Sequence, residues 1–220
     1  MTTATEILEQ FVTQRRLERI DAVLASRTRN LLLVLENVHD PHNQAACMRS
    51  AEALGLQEVH VVGREGFSPN HAVVQGADKW VDLERHKTPA RCVDALKKRG
   101  FTVAAAALRP DAVPISSIDF AKPTALAFGN EHDGLSGEFL DLADLVFVVP
   151  MLGFTQSFNI SVSAAISLHH AVGERVRKLG SNGDLEEADR LALREKWLHL
   201  SVPLAEQVVA EMEKREGKGR

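Results

Sequence analysis

Apolar residues return at near-helical spacing along residues 5–26, at Ile7, Leu8, Phe11, Val12, Leu17, Ile20 and Val23. That spacing predicts one amphipathic helix. The pattern then changes period. Leu31-Leu-Leu-Val-Leu35 is wholly apolar, as expected of a strand buried on both faces of a parallel sheet. Further short apolar runs stand at residues 59–62, 101–108, 124–128 and 146–149. Between them helices are expected at about 44–54, 89–99 and 138–143, the first two closed by Gly55 and Gly100. A longer helix rich in small residues takes Ser157 or Asn159 as its N-cap and ends near Gly180. Residues 63–89 read as a connection with short structured pieces, 109–114 as a turn-rich loop and 116–121 as a short polar connection. Helices are expected again over 184–200 and 203–216. Strands alternating with helices predict an α/β fold, a mostly parallel sheet with helices on both faces. The expected organisation is a helical extension at 1–30, a main domain at 31–180 and a second helical extension at 181–220.

Three loops at the carboxyl ends of strands carry most of the candidate chemistry, because open parallel sheets bind ligands there. The first, Glu36-Asn-Val-His-Asp-Pro-His-Asn43, leads into a helix whose small residues, Ala45, Ala46, Cys47, Ser50 and Ala51, surround Arg49. Small neighbours let a substrate approach, and a guanidinium there can fork onto phosphate oxygens; an ordinary surface Arg is the alternative. The second, Gly129-Asn-Glu-His-Asp-Gly-Leu-Ser136, combines two glycines with Asn130, Glu131 and Asp133. Its acidic side chains disfavour phosphate and suit a ligand with an amino group and ribose hydroxyls. The third follows Pro150 and mixes Met151, Phe154 and Phe158 with Thr155, Gln156, Ser157 and Asn159. A simple turn needs fewer apolar groups, and a core segment tolerates fewer amides and hydroxyls.

Composition narrows the class. The 220 residues suffice for one sizeable core. A formal net charge of −4 argues against indiscriminate binding of polyanions. Local patches still count: Arg15, Arg16 and Arg19, then Arg175 and Arg177, concentrate positive charge, either as solvated helix faces or as contacts to an RNA backbone. Cys47 and Cys92 are too few for a disulfide framework and lack metal-site spacing; His39 and His42 flank Pro41 without a third ligand nearby. No metal site is therefore expected, and a reducing cytoplasm is. Neither a signal-peptide pattern nor an apolar run of membrane-spanning length is present in the sequence.

Taken in order, Asn37-Val-His-Asp-Pro-His-Asn-Gln-Ala-Ala-Cys-Met-Arg49, Phe128-Gly-Asn-Glu-His-Asp-Gly-Leu-Ser136 and Val149-Pro-Met-Leu-Gly-Phe-Thr-Gln-Ser-Phe-Asn-Ile-Ser161 resemble the three motifs of the SpoU family of RNA ribose 2′-O-methyltransferases, members of the SPOUT class. The short helical flanks, and Lys79-Trp80 within residues 76–82, are most similar to the branch that methylates guanosine 18 in the tRNA D-loop. The resemblance implies a C-terminal deep trefoil knot, S-adenosyl-L-methionine as methyl donor, a homodimer and a tRNA substrate. It implies catalytic roles for Asn43, Arg49, Glu131, Ser157 and Asn159. Cofactor contacts are implied for Ala106, Leu108, Gly129, Asn130, Glu131, Val149, Met151, Ser157, Phe158 and Asn159. Arg15, Arg16, Arg19, His42, Arg49, Arg175 and Arg177 are the expected RNA contacts. Methylation of 23S ribosomal RNA or of the tRNA wobble nucleotide, and a silent RNA-binding module, are the alternatives.

Overall fold

A computed structural model describes residues 3–63, 74 and 76–218. In chain order the elements are α1 (Ala4–Glu9), α2 (Gln14–Leu24), β1 (Leu31–Glu36), α3 (Pro41–Ala53), β2 (Glu58–Val62), β3 (Asp82–His86) and α4 (Pro89–Lys98). There follow β4 (Thr102–Ala106), β5 (Val113–Pro114), β6 (Thr124–Phe128), α5 (Gly137–Leu142), β7 (Leu145–Val148), α6 (Ile160–Leu179), α7 (Glu187–Ser201) and α8 (Ala205–Lys218). They form two compact units, residues 28–182 and residues 1–27 with 183–220. The two termini, read from the sequence as separate extensions, thus belong to one unit. Among the described residues no helix is long and apolar enough to cross a membrane.

The larger unit is built on a seven-stranded sheet of order β3-β2-β1-β6-β4-β7-β5, parallel at every pairing. The unbroken apolar run of β1 has a direct physical reason. Leu31, Leu33 and Leu35 pack with Cys47 and Ala51 of α3 and Ala164 and Leu168 of α6. Leu32 and Val34 pack on the opposite face with Cys92, Val93 and Leu96 of α4 and Phe139 of α5. Successive side chains point to opposite faces, so a strand covered by helices on both sides has no polar register.

Four local expectations change. Residues 5–26 form two helices, because Thr13 turns extended and its side chain accepts from Arg16 N–H, starting α2 anew. Helix α3 starts at Pro41 rather than near residue 44: Asp40 caps it, accepting from His42 N–H at 2.9 Å, and Pro stands at the first helical position where its missing N–H costs nothing. The connection over 63–89 contains β3, whose residues 82–86 offer only Leu83 as an aliphatic side chain. Among the described residues it pairs on one edge only, with β2, and an edge strand tolerates polar side chains. Residues 64–73 and 75 of that connection lie outside the described residues. The turn-rich loop at 109–114 ends in the two-residue β5, which among the described residues pairs with β7 alone; its Pro114 is acceptable at a sheet edge.

In the smaller unit Ile7, Leu8, Ile20, Leu24, Leu193, Trp197 and Leu198 are buried, and Arg27 lies over the Trp197 ring at 5.3 Å. Arg194 ties the helices electrostatically, pairing with Asp21 at 2.8 Å and with Glu9.

A charge cluster anchors the start of β2, beside the edge strand β3. Glu58, 6% exposed, accepts from Arg29 at 2.5 Å, Arg99 at 2.8 Å and His60 Nε2 at 3.3 Å. Burial pushes the Glu58 carboxyl up, but hydrogen bonds from His60, Arg99 and Arg29 and the charge of Arg99 outweigh burial and hold it at about 2. A depressed carboxyl contributes stability above its unfolded value, near 4.5, and loses it as pH falls toward 2. The expected loss across that window is on the order of 3 kcal/mol. Urea midpoints measured against pH for the parent and Glu58→Gln check this; identical acid limbs in the two proteins would refute it.

Candidate functional site

Strands β1, β6 and β7 each release a loop at their carboxyl ends, and parallel pairing brings all three loops to one edge of the sheet. The loops after β6 and β7, with the end of β4, border a cavity of about 500 Å³ there, and the loop after β1 stands outside its wall; the volume is within the range of small-molecule sites. Its walls collect Ala106 and Leu108 after β4, Gly129, Asn130 and Glu131 after β6, and Val149, Met151, Ser157, Phe158 and Asn159 after β7. These are the ten residues for which the resemblance to the SpoU family implied cofactor contacts. Phe128, Asp133 and Gln156 also line it.

The loop after β6 folds back on itself: Gly134 N–H donates to the Asn130 carbonyl at 3.1 Å, and Asn130 Oδ1 accepts from the N–H groups of His132 and Asp133. Gly129 faces that returning chain. A Cβ built on it would stand 1.9 Å from the Gly134 carbonyl carbon, so residue 129 has room for no side chain in this conformation. The far end of the loop is tied to β1 by Glu36. Its carboxylate, 1% exposed, accepts from Ser136 N–H at 2.8 Å and Ser136 Oγ–H at 2.7 Å. Sequence reading treated Glu36 only as the start of a polar loop. The available signal was an ionisable residue closing an otherwise apolar strand run.

A chain of amides crosses the site. Asn43 Nδ2 donates to Glu131 Oε1, and Asn159 Nδ2 donates to Asn43 Oδ1 at 3.2 Å. Asn159 Oδ1 in turn accepts from Ser161 N–H at 2.9 Å and Ser161 Oγ–H at 2.6 Å, capping α6. One residue from each loop region is therefore held in a single hydrogen-bonded series. Arg49 is exposed on α3 and does not line the cavity. Among the described residues it makes no hydrogen bond or ion pair, which leaves its five donors available to an incoming anion. Burial, with the charge of Glu131, pushes the Cys47 thiol up to about 12, so it supplies no thiolate nucleophile at neutral pH.

The expected RNA contacts divide. Arg15 and Arg19 are exposed on α2, and Arg16 is half-buried, donating to Ser201 Oγ. His42 is exposed on the first turn of α3. Arg177 is exposed but forked onto Glu174. Arg175 is a correction: it is 1% exposed and donates to Asn182 Oδ1, the Phe120 carbonyl and Thr28 Oγ1 at 3.1–3.3 Å. The helical period turns position 175 inward while 177 faces out, and a buried guanidinium is retained only where its donors are satisfied. Arg175→Ala should therefore lower the thermal midpoint by the loss of roughly 2–4 kcal/mol. A variant with unchanged midpoint but weakened RNA binding would contradict this placement.

Comparison with known proteins follows the same lines. The model of the SpoU rRNA methylase family matches residues 30–169. The chain is 44% identical over 166 residues to the tRNA (guanosine(18)-2′-O)-methyltransferase of Thermus thermophilus, covering 75% of this chain and 86% of that protein. The crystal structure of the TrmH/SpoU tRNA-modifying enzyme of Aquifex aeolicus superimposes with a TM-score of 0.79 at 32% identity, over 86% of this chain and 98% of that one. The SpoU methyltransferase AviRb of Streptomyces viridochromogenes, solved with its cofactor AdoMet, gives 0.62 at 26% identity, over 70% and 64% of the two chains. With the loops, the cavity and this family match in agreement, the chain belongs to the SpoU methylase family.

Proposed function

We propose that this chain transfers a methyl group from S-adenosyl-L-methionine to the ribose 2′-oxygen of guanosine 18 in tRNA. The observation that carries the substrate is the extent of similarity. Relatives named for guanosine 18 match well beyond the shared methyltransferase region, over 89% of this chain in the Aquifex aeolicus case. The cofactor reading draws on the cavity: its volume, its carboxylates Glu131 and Asp133, and the close backbone cradle at Gly129 suit a cationic amino-acid nucleoside. The trefoil knot, the homodimer and a cytoplasmic location belong to the same proposal.

When bound, S-adenosyl-L-methionine supplies an electrophilic methyl group on a sulfonium. The chain's own residues do the rest. Glu131, Asn43 and Asn159 fix the three loops relative to one another, and Ser157 offers a hydroxyl in the wall. Arg49 clamps a phosphate next to the target ribose and stabilises the alkoxide that develops on the 2′-oxygen. It acts as a cation rather than a base, because a guanidinium with a pKa above about 12 is almost never neutral at pH 7. The ribose proton leaves to phosphate, water or a neighbouring side chain.

The test is transfer of labelled methyl to unmodified tRNA transcripts, with the modified nucleotide located by mass spectrometry. The expected product is 2′-O-methylguanosine at position 18. Transfer to ribosomal RNA or to the wobble nucleotide instead would overturn the substrate. Cofactor binding without transfer to any RNA would leave a silent binding module.

A further inference from the structure

Away from the cavity, three side chains capable of binding a metal meet on the face of the sheet covered by α4. They are His60 on β2, His86 at the end of β3 and Cys92 on α4, and their ligand atoms all lie within 4.8 Å of one another. None of them lines the cofactor cavity. His60 and Cys92 are buried and His86 is half-buried. The two imidazole planes lie within 9° of each other, with centroids 5.1 Å apart and His60 Nδ1 2.9 Å from His86 Nε2. On its other side His60 Nε2 meets the Glu58 carboxylate at 3.3 Å, and Arg29 and Arg99 hold that carboxylate in place. A carboxylate accepts only, so the neutral His60 ring carries its hydrogen on Nε2 and leaves the Nδ1 lone pair on the side of His86 Nε2. Support of this kind, a carboxylate behind the far nitrogen of an imidazole, is what orients histidines that bind metals.

We propose that His60 Nδ1, His86 Nε2 and Cys92 Sγ form a binding site for a divalent transition ion of the zinc class. Imidazole and thiolate together select Zn²⁺ or Co²⁺ over Mg²⁺ and Ca²⁺, which prefer oxygen. Zinc–nitrogen bonds of about 2.0–2.1 Å at a tetrahedral angle place two nitrogens roughly 3.3 Å apart, against 2.9 Å here, so binding needs the rings to part slightly and to turn until both lone pairs meet at the ion. On binding, the hydrogen that His86 Nε2 shares with His60 moves to His86 Nδ1. The Cys92 thiol proton leaves to solvent and a thiolate–metal bond forms, so one proton is released per ion. Water entering past the half-exposed His86 ring fills the fourth position.

The test is titration of the metal-stripped full-length chain with Co²⁺, followed by displacement with Zn²⁺. One ion per chain is expected, with a thiolate-to-cobalt charge-transfer band in the near ultraviolet that Zn²⁺ abolishes and Mg²⁺ does not. Cys92→Ala should remove the band, His86→Ala should weaken binding at least tenfold, and Cys47→Ala should leave both unchanged. Absence of the band at cobalt in excess over protein overturns the site, as does a band that survives Cys92→Ala. Should Cys92→Ala fail to fold, His86→Ala on the edge strand decides, and parental affinity there counts against the site. Methylation enters none of these readouts, so the outcome is independent of the proposed enzyme activity.

Discussion

Replacing Arg49 with Ala should lower kcat on tRNA by on the order of 10²–10³, about 3–4 kcal/mol of transition-state stabilisation. Affinity for the cofactor product S-adenosyl-L-homocysteine should stay near the parental value. The separation of the two effects is structural. Arg49 is exposed on α3 and absent from the cavity wall, so its loss leaves the cofactor walls untouched. In the proposed role, what is lost is a guanidinium that stabilises charge only as the 2′-oxygen ionises. Arg49→Lys separates charge from geometry. Lysine keeps the cation but cannot fork onto two oxygens, and most of the deficit should persist. Single-turnover methyl transfer measured beside calorimetric titration of S-adenosyl-L-homocysteine decides the matter. Near-parental turnover in Arg49→Lys would dismiss the clamp.

Gly129→Ala should have the opposite signature, with binding of S-adenosyl-L-homocysteine weakened beyond tenfold and the protein destabilised. The new methyl group would stand 1.9 Å from the Gly134 carbonyl carbon and 2.0 Å from its oxygen. Both are backbone atoms, so no side-chain rotation relieves the clash. The returning arm of the loop must move by more than an ångström. Its movement strains the ties of Glu36 to Ser136 at one end and of Glu131 to Asn43 at the other. Overpacking of this kind costs roughly 1–3 kcal/mol. Gly137→Ala is the control, because a Cβ there meets nothing within 4 Å, and its thermal midpoint should match or slightly exceed the parent's. Tight cofactor-product binding by Gly129→Ala would show that the loop adapts and that the cavity does not depend on its close fold.

The sequence by itself determined the alternation of strands and helices, because an apolar run such as 31–35 has one stable place, the interior of a parallel sheet. The residues expected in the cavity wall came from the resemblance of its three motifs to the SpoU family, and the parallel sheet gathers them because the ends of β4, β6 and β7 converge. Short-range pattern missed β3 and β5, where edge pairing releases side chains from the apolar requirement. It could not separate Arg175 from Arg177, because both are cations in one basic stretch and only the packing against Phe120, Thr28 and Asn182 assigns one to the interior. Glu36 and Glu58 read as ordinary acidic residues until the partners that hold them buried are known. The His60, His86 and Cys92 cluster has no sequence spacing of its own. Two neighbouring strands and a helix packed on them bring it together. Local propensity and hydrophobic period act over a few residues and are written along the chain. Burial of a charge, closeness of a ligand set and room for a methyl group depend on chain segments that meet only when the fold closes.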